Sequence, residues 1–185
     1  MKKPVERTAV SIMSTKISLR IICQVGMLIA LAFVLERLTP IVNTPTLRIT
    51  LAFIPMMCCG MLFGPIWGAT AYGIADILGW PLMGMMPIPL ILVSRIAAGF
   101  LYGLILRREN LRFLPFSLVN AFSVEIICGM GLTTLGLVIF WGTPYLPLLW
   151  TRLPQHAILI ALQIAVFPAL LKLREALRKA GYIQV

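Results

Sequence analysis

Charge is what this chain has least of. Only 12% of its 185 residues are charged, and acids are scarcer still: six Asp and Glu against sixteen Lys and Arg. A soluble domain carries about a quarter of its residues as charges, so an ordinary globular fold in water is excluded. There is one histidine, His156, and four cysteines, Cys23, Cys58, Cys59 and Cys128, each inside an apolar run. No His/Cys cluster has metal-ligand spacing, so neither a metal nor any other cofactor is expected, and the cysteines read as small packing residues rather than disulfides. The chain also lacks GxxxxGK[ST], HExxH, GxSxG and a pair of intramembrane aspartates. That removes P-loop ATP binding and the recognisable hydrolase and protease sites, leaving a small membrane enzyme as the weaker alternative. No selectivity-filter signature is present, and one small domain falls below the size of most inverted-repeat transporters.

What the chain has instead is continuous apolar sequence. It is 60% hydrophobic, with a mean hydropathy of +0.98. Barrel strands would alternate, and these runs do not, so the fold class is an all-α integral membrane protein whose first partner is the lipid bilayer. The formal net charge of +10 is better explained by basic flanks of membrane helices than by nucleic-acid binding, and no nucleic-acid partner is expected. The basic N-terminus followed by an apolar run mimics a signal peptide. The run is too long and lacks a small-residue cleavage site, so it is taken as a retained first helix.

The stretch from Leu47 to Pro81, LRITLAFIPMMCCGMLFGPIWGATAYGIADILGWP, sets the topology. As one helix it would run to roughly 50 Å, well beyond a hydrocarbon core of about 30 Å. Gly64-Pro65 is a strong breaker, and proline is favoured at the first position of a new helix. The stretch therefore predicts a tight helical hairpin, with halves near 49–63 and 65–80. Residues 1–16 form a polar, basic tail, and a single membrane domain fills 17–180. Its remaining spans lie near 17–38, 88–106, 114–141 and 155–179. Between them fall a Pro/Asn/Thr loop from Pro40 to Arg48, the apolar loop PLMGMMPIP and the Pro/aromatic loop GTPYLPLLWTRLP. Six transmembrane helices put the basic clusters at 1–20, 107–112 and 172–179 on one side, so the positive-inside rule predicts that both termini are cytoplasmic. A single crossing of 49–80 would split those clusters.

Four basic residues fall outside the cytoplasmic flanks: Arg37, Arg48, Arg95 and Arg152. Glu36 and Arg37 read as closing the first span at the interface. Arg95 lies within the fourth span, where a charge is costly unless it is paired or lines a wet cavity. Asp76 and Glu125 are the acids at hand. Arg95 pairing with Glu125 or with Asp76 is one reading. The other is an outward-opening cavity in which Arg48, Arg95 and Arg152 hold an anionic ligand while a carboxylate meets an amide-like edge. Trp80, Trp141, Tyr145 and Trp150 read as interfacial belt, or as a surface that stacks on a flat ligand. Met83, Met85 and Met86 form a soft candidate lid, and His156 reads as a polar residue at a helix start. Gly26 and Ala30 are spaced i, i+4, which lets a helix approach closely, from within the chain or from a partner subunit.

The hairpin sequence fits the pattern IPxxxxGMLFGPxWGxxxxGxADxLG, and GTPYLPLLWTRLPQHAILIALQ follows later. On these two stretches the chain resembles the S components, the substrate-binding subunits, of energy-coupling factor (ECF) vitamin transporters, in their folate-specific branch. The resemblance runs from about Gln24 to Leu171. It implies a non-catalytic, high-affinity subunit in the cell membrane that captures folate or a reduced folate from outside. It also implies a transmembrane coupling protein and two cytoplasmic ATPases as partners. Loops carrying Asn43, Pro45, Met83, Met85 and Met86 would gate the ligand. The family's AxxxA motif, which faces the coupling protein, reads here as Gly26 and Ala30. A pterin and a glutamyl tail would suit Asp76, Arg95 and Arg152, with Glu125 in a less well matched stretch. Another vitamin or a queuosine-like base remains the alternative ligand.

Overall fold

The computed structural model describes residues 19–37, 42–43, 48–82, 88–107, 113–142 and 144–179. The expectations for Pro45, Met83, Met85 and Met86, and for the basic tail and the 108–112 cluster, lie outside the described residues. The elements are helix α1 (Leu19–Arg37), strands β1 (Val42–Asn43) and β2 (Arg48–Ile49), and helices α2 (Phe53–Phe63), α3 (Pro65–Leu82) and α4 (Pro89–Leu106). Helix α5 is built of three consecutive segments, Phe113–Ser123, Val124–Thr133 and Thr134–Trp141, and α6 runs over Tyr145–Lys179. Among the described residues four helical stretches are long and apolar enough to cross a bilayer: Leu19–Glu36, Pro89–Leu106, Ser117–Trp141 and Tyr145–Lys179. Helix α2, with 11 residues, is apolar but short.

The hairpin forms as its sequence requires. Gly64 is the single residue between α2 and α3, and its φ of 99° lies where L side chains are strained. Pro65 then opens α3 with no backbone N–H to satisfy. Helices α2, α3 and α4 pack into one body around Met56, Met57, Cys59, Ala71, Ala98 and Leu106. Lipid is as apolar as these side chains, so close packing rather than water exclusion holds such helices together. Glycine makes the packing close. A Cβ on Gly68 would stand 2.5 Å from the Gly99 carbonyl oxygen, and one on Gly103 would run into the Pro65 backbone. Helix α1 lies against α2 and α3, and its other face, with Gly26 and Ala30, is exposed.

Three boundaries differ from the sequence expectations. The segment expected as the Pro/Asn/Thr loop contributes a two-residue antiparallel ladder, Val42 opposite Ile49 and Asn43 opposite Arg48, so α2 begins at Phe53 rather than 49. The segment GTPYLPLLWTRLP is not a loop beyond Pro144: α6 starts at Tyr145, ten residues before the expected 155. Pro147 sits in the first turn, where the backbone N–H groups have no helical acceptor in any case. Pro154 is absorbed within the helix, which at 35 residues measures about 52 Å. Thirdly, α5 is not a uniform α-helix. Its middle ten residues, Val124–Thr133, form a π-helix. The Thr133 and Thr134 hydroxyls donate to the carbonyls of Cys128 and Gly129, each five residues back.

Candidate functional site

The helix ends that meet at one end of the bundle decide which side chains can converge. Asp76 is near the end of α3, Arg95 is in the second turn of α4, and Arg152 is in the second turn of α6. The π segment of α5 and the start of α2 reach the same level. Between them lies a cavity of about 90 Å³, lined among others by Phe53, Tyr72, Arg95, Glu125, Arg152 and His156. Two polar clusters form its walls.

The first centres on Arg95. Its Nη1 donates to the Tyr72 hydroxyl at 2.9 Å. Its Nη2 lies 3.6 Å from Glu36 Oε1, and its Nε lies 3.9 Å from Asp76 Oδ1. The guanidinium stands over the Tyr72 ring at 5.3 Å, and that ring stacks with Tyr102 at 6.4 Å. Helical spacing brings these groups together: Tyr72 and Asp76 are four apart on α3, and Arg95 and Tyr102 seven apart on α4. Trp80, one turn beyond Asp76, donates its indole N–H to Asp76 Oδ2 at 3.0 Å. The Arg95 side chain keeps 31% exposure while both carboxylates are buried, so of the three charged groups the guanidinium is the one in the cavity wall.

The second cluster joins α5 to α6. Glu125 Oε2 is 2.7 Å from His156 Nδ1, and Gln163 Nε2 donates to Glu125 Oε1 at 2.6 Å. An ionised Glu125 accepts at both oxygens, and that arrangement places a His156 proton on Nδ1. His156 and Gln163 are seven apart on α6 and share a face. Gly129 permits this approach: a Cβ there would stand 2.5 Å from His156 Cε1 and 3.1 Å from Glu125 Oε2. Arg152, one turn before His156, donates to the Thr134 hydroxyl at 3.1 Å. Ser94 ties α4 to the π segment, touching the Thr133 hydroxyl at 2.7 Å and donating to the Cys128 carbonyl at 2.8 Å.

Arg95 therefore pairs with Asp76, as one sequence reading had it, and not with Glu125, whose partners are His156 and Gln163. Glu36, expected at the interface, is buried against Arg95, because the last turn of α1 packs inward at this level. His156, expected at a helix start, is three turns into α6 and buried. Arg95, Glu125 and Arg152 come together around the cavity, and Asp76 is buried against Arg95 outside its wall. Trp141 does not; it is exposed at the end of α5. Tyr145 donates to the Met130 carbonyl at 3.4 Å, beside the site rather than in its wall. Of Arg48 and Asn43 the backbone ladder alone is described. The sequence reading did not assign Tyr72, Tyr102, Ser94 or His156 to the site. For three of them the signal was there, in i, i+4 or i, i+7 spacing from Asp76, Arg95 and Arg152.

No curated protein matches the chain by sequence. Among solved structures, the fold is similar to that in a crystal structure of FolT bound with folic acid, with a TM-score of 0.74 and 25% sequence identity, covering 83% of this chain and 93% of that one. Residues 20–171 match the family model described as ECF transporter, substrate-specific component. With that match running over most of its length, the chain belongs to the family of substrate-specific components of ECF transporters.

Proposed function

We propose that this subunit captures folate or a reduced folate with high affinity at the non-cytoplasmic face and passes it inward with partner subunits. The observation that carries the reading is the cavity. It sets two stacked tyrosines beside a guanidinium, and a second guanidinium beside a carboxylate–imidazole pair, in a fold similar to that of FolT bound with folic acid. A flat bicycle suits the aromatic and hydrogen-bonding walls, and the carboxylates of a glutamyl tail suit arginine. The segments around Asn43, Pro45, Met83, Met85 and Met86 would close over the ligand.

Both termini would lie in the cytoplasm of a bacterial plasma membrane. There a transmembrane coupling protein and two ATPases would supply the energy that this chain has no motif to extract. The exposed face of α1 with Gly26 and Ala30 is the expected docking surface. Purification in detergent, followed by absorbance and mass analysis of the co-purified ligand, tests the substrate. A folate is expected, and a different vitamin or a 7-deazaguanine base in its place would reassign the specificity. Replacing Ala30 by Trp tests the docking face. Assembly with the coupling protein is expected to fail while ligand binding persists, and the reverse pattern would contradict the assignment.

A further inference from the structure

In the wall of the cavity Arg152 Nε and His156 Nε2, both buried, have no partner among the described residues. An unpaired buried donor or acceptor is destabilising, so a wall that keeps two of them one helical turn apart offers a ligand the bonds they lack. Their chemistry is complementary. The guanidinium N–H can only donate. To an ionised Glu125 the imidazole donates its Nδ1–H, so in the neutral ring Nε2 can only accept. The two residues are one helical turn apart on α6, with about 6 Å between their Cβ atoms. They thus present a donor and an acceptor to the same side.

We propose that Arg152 and His156 together read a lactam edge, an N–H beside a C=O in a flat ring. Arg152 Nε–H donates to the ring oxygen, and the ring N–H donates to His156 Nε2. This deepens the folate reading and rests on it, since pterins carry that edge; 7-deazaguanine bases carry it too. Glu125 and Gln163 are then positioning residues. Both carboxylate oxygens are committed within the protein, so the acid fixes the tautomer of the residue that meets the ring instead of meeting it itself. Gly129 leaves the room in which the imidazole is held. The inference assigns to His156 a specificity role that its place in a helix, remote in sequence from Glu125, does not disclose.

The test compares folic acid with aminopterin, in which an amino group replaces the ring oxygen and the donor–acceptor order of the edge is inverted. Binding to the detergent-purified protein is measured by titration calorimetry. The wild-type protein is expected to prefer folic acid by about tenfold or more, the scale of one or two buried hydrogen bonds. In Arg152→Met and His156→Ala the ratio should fall to about twofold or less, and Glu125→Gln should lower it as well by freeing the tautomer. Variants that weaken both ligands alike and keep the ratio would overturn the proposal, since that is what a structural role would do. Should His156→Ala not fold, His156→Gln gives the same reading, because its amide can turn to suit either edge; an unchanged ratio there is equally fatal. A wild-type protein that binds 7-deazaguanine but not folic acid overturns the folate reading alone, and the ratio is then measured between that base and its amino counterpart. Binding of neither overturns both.

Discussion

The two halves of this molecule are built by opposite means. Helices α2, α3 and α4 form a body of small and apolar residues whose backbones nearly touch at Gly68–Gly99 and Gly103–Pro65. Helices α5 and α6 are joined to each other by a seam of polar groups, Thr134, Glu125, Arg152, His156 and Gln163, carried on a helix with a π segment and a proline-containing helix. The first half has almost no adjustable contact. The second has many, each worth about 1 kcal/mol or somewhat more where a charge takes part. The comparison separates two kinds of wall: the glycine-packed body supplies a fixed one with Arg95, and the polar one holds the groups to which the proposal gives discrimination.

The contrast can be broken most severely in the body. Gly103→Val would push a side chain into the Pro65 backbone, which no rotamer relieves. A loss of several kcal/mol and failure to elute as a monodisperse species on size exclusion are expected. The next largest effect is expected at Gly129→Ala. Here the clash falls on the movable ring of His156 and on Glu125, so the protein should still fold, with folate affinity lowered by about tenfold to a hundredfold in calorimetric titration. An equal loss of folding in both variants would erase the distinction between the halves.

Arg95→Ala tests the charged cluster on the rigid side. It leaves Glu36 and Asp76 facing each other without their cation. Partial exposure moderates the penalty to about 2 kcal/mol, read as a lower thermal midpoint in detergent, together with weaker folate binding. Asp76→Asn in the same background should recover part of the midpoint, and no recovery would show that the acids do not repel. The smallest effect is expected for Trp80→Phe. This removes a single hydrogen bond to Asp76, worth about 1 kcal/mol, and should leave ligand affinity within about threefold.

The same division governs what the sequence disclosed. Gly64-Pro65 and the length of its apolar flanks were enough to place the hairpin, because a turn with positive φ and a proline at a helix start are local requirements. Arg95 with Asp76 was readable because a charge in an apolar run demands a partner. The polar wall was not readable in the same way. Pro147 and Pro154 suggested a loop where α6 already runs, which hid the i, i+4 relation of Arg152 and His156. The Glu125–His156 bond joins residues 31 apart through a π segment that shifts side-chain register, and no local pattern announces such a shift.

A structure of the complex with folic acid tests the central claim most directly. The bicycle should lie between α4 and the α5–α6 wall, with its lactam edge about 3 Å from His156 Nε2 and from Arg152, and with the glutamyl carboxylates toward Arg95 or Arg48. A ring bound with His156 and Arg152 still unpaired, or folate seated elsewhere on the molecule, would contradict it.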